Sequence, residues 1–200
     1  MNTENDGKSS GLAAAHRADK RDQGFWSFSL KTYAVEGVPA ACLELQDRHG
    51  ADVNVVLFAF WVATVSGELD RETLRQALDK PGVWSREVVH PLRAARRWMK
   101  REGCGSQGME PDACGALRER IKKLELEAER LQQHMLEALA PPPSGAPGPV
   151  AAGNNLRRYF EVAGLKCDEP AIAALKRIAR AALPRARAED LRAFARTIRS

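Results

Sequence analysis

The sequence lacks any uninterrupted apolar stretch long enough to cross a lipid bilayer. Its longest apolar run, from Val53 to Val65, is broken by Asn54 and is shorter than the roughly 20 residues that a membrane-spanning helix needs. The first residues, MNTENDGKSSGLAAAHRADKRDQ, are polar and lack the apolar centre of a secretory signal. We therefore expect a cytoplasmic protein that does not associate with membranes, with residues 1–22 disordered.

Cysteine is scarce, and its spacing does not suit a metal or redox site. The chain has four cysteines, Cys42, Cys104, Cys114 and Cys167, with no C-x-x-C pair and no histidine at ligand spacing. We interpret Cys42 as a small apolar residue in a helix and the others as incidental thiols. A disulfide between Cys104 and Cys114 is sterically conceivable, but it needs an oxidising compartment, and the polar N-terminus argues against one. We expect no metal and no cofactor.

Motifs of the common enzyme classes are also missing. The chain contains no phosphate-binding loop, dinucleotide fingerprint, nucleophile elbow or zinc-protease helix. Catalytic groups can also come from scattered positions in a sequence. The missing motifs therefore make an enzyme the less favoured class, but they do not exclude one. We assign no catalytic residue from the sequence.

The composition favours helices. β-Branched residues are sparse, Ala, Leu, Arg and Glu dominate, and 44% of the residues are hydrophobic, which permits a real core. We predict an all-α fold, a compact helical bundle over residues 23–140 that ends in a long C-terminal hairpin helix. A Pro/Gly-rich linker at residues 141–153 and a small basic helical tail at residues 154–200 follow. Capping residues and apolar periodicity predict helices at about 24–36, 39–49, 53–66, 72–78, 84–102, 112–140, 156–164, 169–183 and 188–198, with a kink near Pro91.

The long helix carries a heptad-like apolar seam. Its members recur with spacings of 4, 3, 4, 3 and 4 residues: Leu117, Ile121, Leu124, Ala128, Leu131 and Met135. Two interpretations remain open, an intramolecular hairpin with the preceding basic helix, which we favour, and a dimerising coiled coil. Fewer than three full heptads are marginal evidence for the coiled coil.

One dense polar cluster interrupts the apolar block between residues 25 and 65. Its side chains are those of Gln46, Asp47, Arg48, His49, Asp52 and Asn54. In a structural interpretation, Asp52 caps the next helix and the other side chains bond to one another or to the backbone at a helix–helix corner. In a catalytic interpretation they form an acid–base site, in which histidine is the residue type whose ordinary pKa is near neutral and Asp47 or Asp52 orients His49. In a third interpretation they line a polar pocket for a ligand. We favour the structural interpretation and keep the pocket as the alternative.

Positive charge is concentrated in two parts of the chain. The whole sequence has a net charge of +5, with a net +4 in residues 81–103 and a net +6 in residues 150–200. On a helical wheel, four basic side chains share one face of the helix predicted at 84–102: Arg86, Arg93, Arg97 and Lys100. This face and the tail could bind RNA, DNA or an acidic protein surface, and a solvated basic face is the plainer alternative.

A combined motif runs through the first two thirds of the chain. It consists of Phe25-Trp26-x-Phe28, Tyr33, Gly37-Val38-Pro39, Ala41-Cys42-Leu43-x-Leu45-Gln46-Asp47, Gly50-Ala51-Asp52-Val53-Asn54, Trp61 and Trp84…Val88-Val89…Pro91-Leu92-Arg93…Arg96-Arg97. On these residues the chain resembles, over about 23–140, an uncharacterised proteobacterial family of conserved hypothetical proteins with a domain of unknown function. The resemblance implies a small helical bacterial protein and brings no reaction, cofactor or catalytic residue.

These observations together predict a non-catalytic cytoplasmic binding or adaptor protein that has a protein partner or associates with itself. The first alternative is a small-ligand-binding protein or enzyme that uses the polar corner from Gln46 to Asn54. The second alternative is a nucleic-acid-associated factor that uses the basic helix and the tail.

Overall fold

The described part of the chain folds into helices alone. The computed structural model describes residues 24–102, 110–143 and 145–199, and no strand occurs among them. One π-helical turn, Ser85–Val89, lies among the helices. The helices are α1 (Phe25–Tyr33), α2 (Val38–His49), α3 (Val53–Val65), α4 (Arg71–Leu78), α5 (Lys80–Trp84), α6 (His90–Glu102), α7 (Pro111–Glu137), α8 (Pro149–Val162), α9 (Glu169–Ala182) and α10 (Ala188–Arg199). The predicted all-α class is confirmed.

Helix α3 lies at the centre of the fold because its sequence is apolar on nearly every side. Its buried residues run without a break through ten consecutive positions. Asp52 caps its start, since the carboxylate accepts hydrogen bonds from the backbone N–H groups of Asn54 at 2.9 Å and Val55 at 3.4 Å. Gly50 closes α2 at a φ of 67°, a left-handed conformation that suits glycine and turns the chain toward α3.

Aromatic side chains tie α1 to α3. The ring of Phe25 is fully buried, with its centroid 5.7 Å from that of Phe58 and 5.4 Å from that of Trp61. Aromatic pairs at these separations add to the stabilisation that apolar burial provides. The packing fixes α1 at the edge of the cavity described below.

The predicted kink near Pro91 takes the form of a π-helical turn. Proline has no backbone N–H, so Pro91 interrupts the regular hydrogen-bond pattern of a helix. Just before it, the backbone N–H of His90 donates to the carbonyl of Ser85, five residues earlier. Beyond this turn, α6 packs along α7, as the hairpin interpretation expects.

The three C-terminal helices pack onto the same core as the first three. Helix α8 contacts α3 and α10, and α9 contacts α2. Their buried side chains, among them Leu156, Leu175 and Phe194, belong to the hydrophobic cluster that contains Phe25. Helix α8 begins at Pro149, well before the predicted start at residue 156, because proline suits the first turn of a helix. The division into a core domain, a linker at 141–153 and a tail stays a prediction.

Helices α8 and α10 approach each other closely at Gly153. A Cβ atom built there would lie 2.8 Å from Cβ of Thr197 and 3.1 Å from the backbone oxygen of Phe194. Any larger residue would force the two helices to shift. Glycine therefore fixes the docking distance of α10.

The cysteine predictions have mixed outcomes. Cys42 is buried, and both Cys42 and Cys167 are free thiols, as expected. The interpretation of Cys114 as an incidental thiol is wrong, because Cys114 is disulfide-bonded; the spacing test addressed metal ligation and did not exclude a disulfide. Cys104 lies outside the described residues, as does the segment 1–22 predicted to be disordered. No helix in the described ranges has both the length and the apolarity to cross a membrane.

Candidate functional site

A cavity of about 320 Å³ lies among α1, α2, α3, α6 and α7. Its volume falls within the range of small-molecule sites, about 300–1,000 Å³. Its apolar lining includes Trp26, Leu30, Leu43 and Leu57. Its polar lining includes Gln46, Asn54, Arg93, Glu125, Glu129 and Gln133. The cavity thus combines an apolar wall with a dense polar one.

Arg93 is the centre of a largely buried charge network in the polar wall. Its Nε donates to Glu125 at 2.8 Å, and its two Nη groups donate to Gln46 and Glu129. Arg96 adds hydrogen bonds to both oxygens of Glu125, at 2.5 Å and 3.1 Å. Only 15% of the Arg93 side chain and 7% of the Glu125 side chain are exposed. Charges this enclosed are stable only when they are paired and hydrogen-bonded.

The two carboxylates of this network have pKa values displaced in opposite directions. Burial disfavours ionisation of Glu125, but hydrogen bonds from Arg96 and Arg93 outweigh it and lower the pKa of Glu125. Burial raises the pKa of Glu129, and the charge on Glu125 adds to the rise, which Arg93 only partly offsets. Of the two, Glu129 therefore takes up a proton more readily as the pH falls.

A directional chain of side-chain amides joins α3 to α7. Nε2 of Gln132 donates to Oδ2 of Asp52 at 2.6 Å, and Nδ2 of Asn54 donates to Oε1 of Gln132 at 2.7 Å. Nε2 of Gln133 in turn donates to Oδ1 of Asn54 at 2.7 Å. Because an ionised carboxylate can only accept hydrogen bonds, Asp52 fixes the orientation of each amide along the chain.

This chain ends in an acceptor that lacks a donor. Oε1 of Gln133 has no hydrogen-bond partner although only 3% of the residue is exposed. Oγ of Ser29 is also buried without a partner, in a residue that is 4% exposed. Both residues line the cavity. Buried polar atoms in proteins are nearly always satisfied, which makes the Gln133 carbonyl a candidate acceptor for a donor group of a bound molecule.

The apolar wall offers packing surface without a reactive thiol. Cys42 lines the cavity, and burial raises its pKa to about 12, so it is neutral at physiological pH. Trp26 presents its ring at the same wall, and the guanidinium of Arg130 lies 5.8 Å from the ring centroid. The side chains of Cys42 and Trp26 can therefore contact the apolar body of a ligand.

The structure divides the predicted polar corner into two groups. Gln46, Asp52 and Asn54 line the cavity. Asp52 also caps α3, as the structural interpretation predicts. One residue can therefore fill the structural and the cavity-lining role at the same time.

The other three corner residues, Asp47, Arg48 and His49, are not part of the cavity lining. Each faces a different neighbour, because consecutive residues of a helix project in different directions. Their contacts are Asp47 with Arg97 at 3.1 Å, Arg48 with Glu44 at 2.8 Å, and Nδ1 of His49 with Asp168 at 3.7 Å.

The predicted basic face is divided as well. Arg93 and Arg97 line the cavity, and the charge of Arg93 is neutralised inside the protein. Arg86 is exposed and paired with Glu87 at 2.9 Å, and Lys100 is exposed away from the cavity. Arg86 lies in the π-helical turn, which changes the angular register on which the prediction of a single face depended.

The sequence reasoning missed the contribution of α7 to the site. Five polar residues on this helix contact the cavity or its amide chain: Lys122, Glu125, Glu129, Gln132 and Gln133. Their spacing places them on one helical face beside the apolar seam, which is the signal that could have identified them. The many charged residues on the rest of α7 obscure this stripe.

The geometry suits a small organic molecule better than a metal ion. Within the described ranges, no three or more His, Cys, Asp or Glu side chains are grouped so as to hold a metal. In the cavity, Arg93 and Arg96 occupy the carboxylate of Glu125, and Gln132 and the α3 backbone occupy that of Asp52.

Comparison with known protein families gives a match over much of the chain. The profile of a family described as "Protein of unknown function (DUF2390)" matches residues 24–136, more than half of the chain. The match includes every cavity residue named above, and it confirms the domain of unknown function that the resemblance implies. Neither the curated proteins nor the solved structures contain a match. The chain therefore belongs to the family of proteins of unknown function DUF2390.

Proposed function

We propose that this protein binds a small organic molecule in the cavity among α1, α2, α3, α6 and α7. The observation that carries the proposal is a cavity of about 320 Å³ that pairs an apolar wall with a polar wall containing an unsatisfied acceptor. Sites for small molecules likewise combine apolar surface with placed polar groups that fix the orientation of the ligand. The proposed role is binding without catalysis. A cytoplasmic location and a protein partner stay predictions.

The polar wall favours a ligand that donates hydrogen bonds. Arg93 and Arg96 already bind Glu125 and Glu129. The two other cations of the lining, Arg97 and Lys122, are paired with Asp47 and Glu119, so an incoming anion meets no unpaired cation among these four. Oε1 of Gln133 can only accept, and the carboxylate of Glu129 also favours a donor or a positive charge. We therefore propose a neutral or cationic ligand with an apolar body and at least one N–H or O–H group.

Three matched probes test this ligand class. The compounds 2-phenylethylamine, 2-phenylethanol and 3-phenylpropionate share a phenyl ring and a short chain and differ in their polar end. In ligand-observed NMR with the full chain, we expect saturation transfer to the amine and the alcohol and much less to the carboxylate. A preference for the carboxylate would overturn the ligand class but leave the binding function in place.

Two tryptophan variants test the position of the site. Leu43→Trp obstructs the cavity because Leu43 lines it, whereas Val35→Trp adds the same bulk at an exposed position that does not line it. We expect the first variant to lose probe binding and the second to keep it. The proposed function is contradicted if neither these probes nor a general fragment library binds, or if binding survives Leu43→Trp.

A further inference from the structure

One row of leucines on α7 is exposed along its length. Leu117, Leu124 and Leu131 are seven residues apart, and they are 47%, 51% and 52% exposed. Residues at this spacing lie on one face of a helix, about 10.5 Å apart along the axis. We call these three residues the leucine row. A single exposed leucine is ordinary on a protein surface, but three at heptad spacing form a line of apolar side chains along one face of the helix.

The other row of the heptad seam is engaged within the chain. Ala128 is buried, and its carbonyl accepts a hydrogen bond from Nε1 of Trp84 at 2.9 Å. Ile121 and Met135 are half-buried, and Met135 and Trp84 both line an open surface cleft. The intramolecular packing of α7 therefore uses one row of the seam and leaves the leucine row at the surface.

Opposite charges flank the leucine row on one side. Arg120 lies four residues before Leu124 and Glu127 three residues after it, so both project from the same side of the row. Both side chains are exposed, and neither has an ion-pair partner among the described residues. Charges at such flanking positions set the partner and the orientation of paired helices.

We propose that two copies of this chain associate through the leucine row with their α7 helices antiparallel. Two-fold symmetry about Leu124 sets this residue against its own copy and Leu117 against the partner subunit's Leu131. Arg120 then lies within about 1.5 Å, along the helix axis, of the height of the partner subunit's Glu127. The symmetry keeps both on the same side of the interface, so two reciprocal ion pairs form. A parallel pair of helices would not bring these charges together.

The size of this surface fits a weak dimer. The leucine row spans about 21 Å of helix, a narrow strip compared with the roughly 1,600 Å² that a standard stable interface buries. We therefore expect a monomer–dimer equilibrium that responds to protein concentration. This inference does not depend on the proposed ligand, because the leucine row is not part of the cavity lining.

Sedimentation velocity over micromolar to millimolar concentrations of the full chain tests the association. We expect the weight-average sedimentation coefficient to rise with concentration for the wild type and to stay monomeric for Leu124→Glu, which sets two carboxylates against each other. Val150→Glu is the matched control, since Val150 is exposed on α8 far along the chain. A thermal unfolding measurement on each variant checks that it is folded. A wild type that stays monomeric, or equal effects of the two variants, overturns the proposal.

Charge reversal and cross-linking test the orientation. Arg120→Glu and Glu127→Arg should each weaken the dimer several-fold, and the double variant should restore it, because the reciprocal pairs re-form with exchanged signs. Under mild oxidation, a mixture of Leu117→Cys and Leu131→Cys chains should give a covalent dimer that neither chain gives alone. Failure of the double variant to restore association, or preferential cross-linking of Leu117→Cys with itself, would overturn the antiparallel arrangement.

Discussion

The substitution Arg93→Met removes the guanidinium from the centre of the charge network and keeps most of the apolar length of the side chain. Arg93 donates to Glu125, Gln46 and Glu129. After its loss Glu125 keeps its bonds from Arg96, so the cost falls mainly on Glu129. Removing one partner of a fully buried ion pair costs about 3–5 kcal/mol. Because 24% of the Glu129 side chain is exposed, we expect a smaller loss of about 2–3 kcal/mol in the free energy of unfolding.

The loss should shrink as the pH falls from 7 to 5. In the wild type, burial already raises the pKa of Glu129 above its ordinary value, and loss of Arg93 removes a positive charge that lowers it. The folded variant therefore binds a proton at Glu129 more readily than the unfolded chain does, so acid relieves the cost of the unpaired charge. Folding lowers the pKa of Glu125. The ionised carboxylate therefore stabilises the folded state at any pH above the pKa that Glu125 has in the unfolded chain. This stabilisation is lost only as the pH falls through the pKa of Glu125 in the folded protein.

Urea unfolding at pH 7 and pH 5, followed by circular dichroism, measures both effects. Arg97→Met is the matched control, because Arg97 lies one turn further along α6 and pairs with Asp47 where 39% and 48% of the two side chains are exposed. Exposed pairs contribute little, so we expect this control to change stability by less than about 0.5 kcal/mol. The reasoning is refuted if the two variants lose equal stability at pH 7, or if the Arg93→Met deficit grows at pH 5.

Two further predictions concern packing and thiol chemistry. Gly153→Ala should lower the unfolding free energy by about 1–3 kcal/mol because the new Cβ meets Thr197, whereas Gly115→Ala, with open space around it, should be neutral or slightly stabilising. Equal urea midpoints for the two variants would disprove the close contact of α8 with α10. An alkylating reagent at pH 8 should label native Cys167 slowly and Cys42 more slowly still, because burial raises their pKa values to about 11 and about 12. Mass spectrometry that finds rapid labelling of Cys42 in the folded protein would contradict its burial.

Helix α3 was predictable because its signals are local. Asp52 caps its start, Gly50 closes the preceding helix, and the run between residues 53 and 65 is apolar on nearly every side. The same holds for the interruption at Pro91, which follows from the missing backbone N–H of proline. Each of these features depends on residues within a few positions of one another, so the sequence alone contains them.

The cavity was only half predictable because its polar wall depends on contacts between distant helices. Gln46 and Asn54 stand out within the apolar block, but their partners Arg93 and Gln132 come from α6 and α7. Those pairings depend on the register of the hairpin and on the π-helical turn that rotates Arg93 inward. Neither follows from the periodicity of a single helix. The packing of α8 against α3 could not be predicted from the sequence either. The Pro/Gly-rich stretch before Pro149 has the composition of a flexible linker, and the contact joins two helices that are distant in the sequence.

Side-chain amide NMR during a titration with 2-phenylethylamine tests the binding claim most directly. The amide groups of Gln46, Asn54 and Gln133 belong to residues that line the cavity, so they report on its occupancy at known positions. We predict saturable shifts of these three NH₂ signals in the wild type, with the largest shift at Gln133, and no such shifts in Leu43→Trp. Signals that stay in place at millimolar probe, or that move equally in Leu43→Trp, would contradict the claim that this cavity is a ligand site.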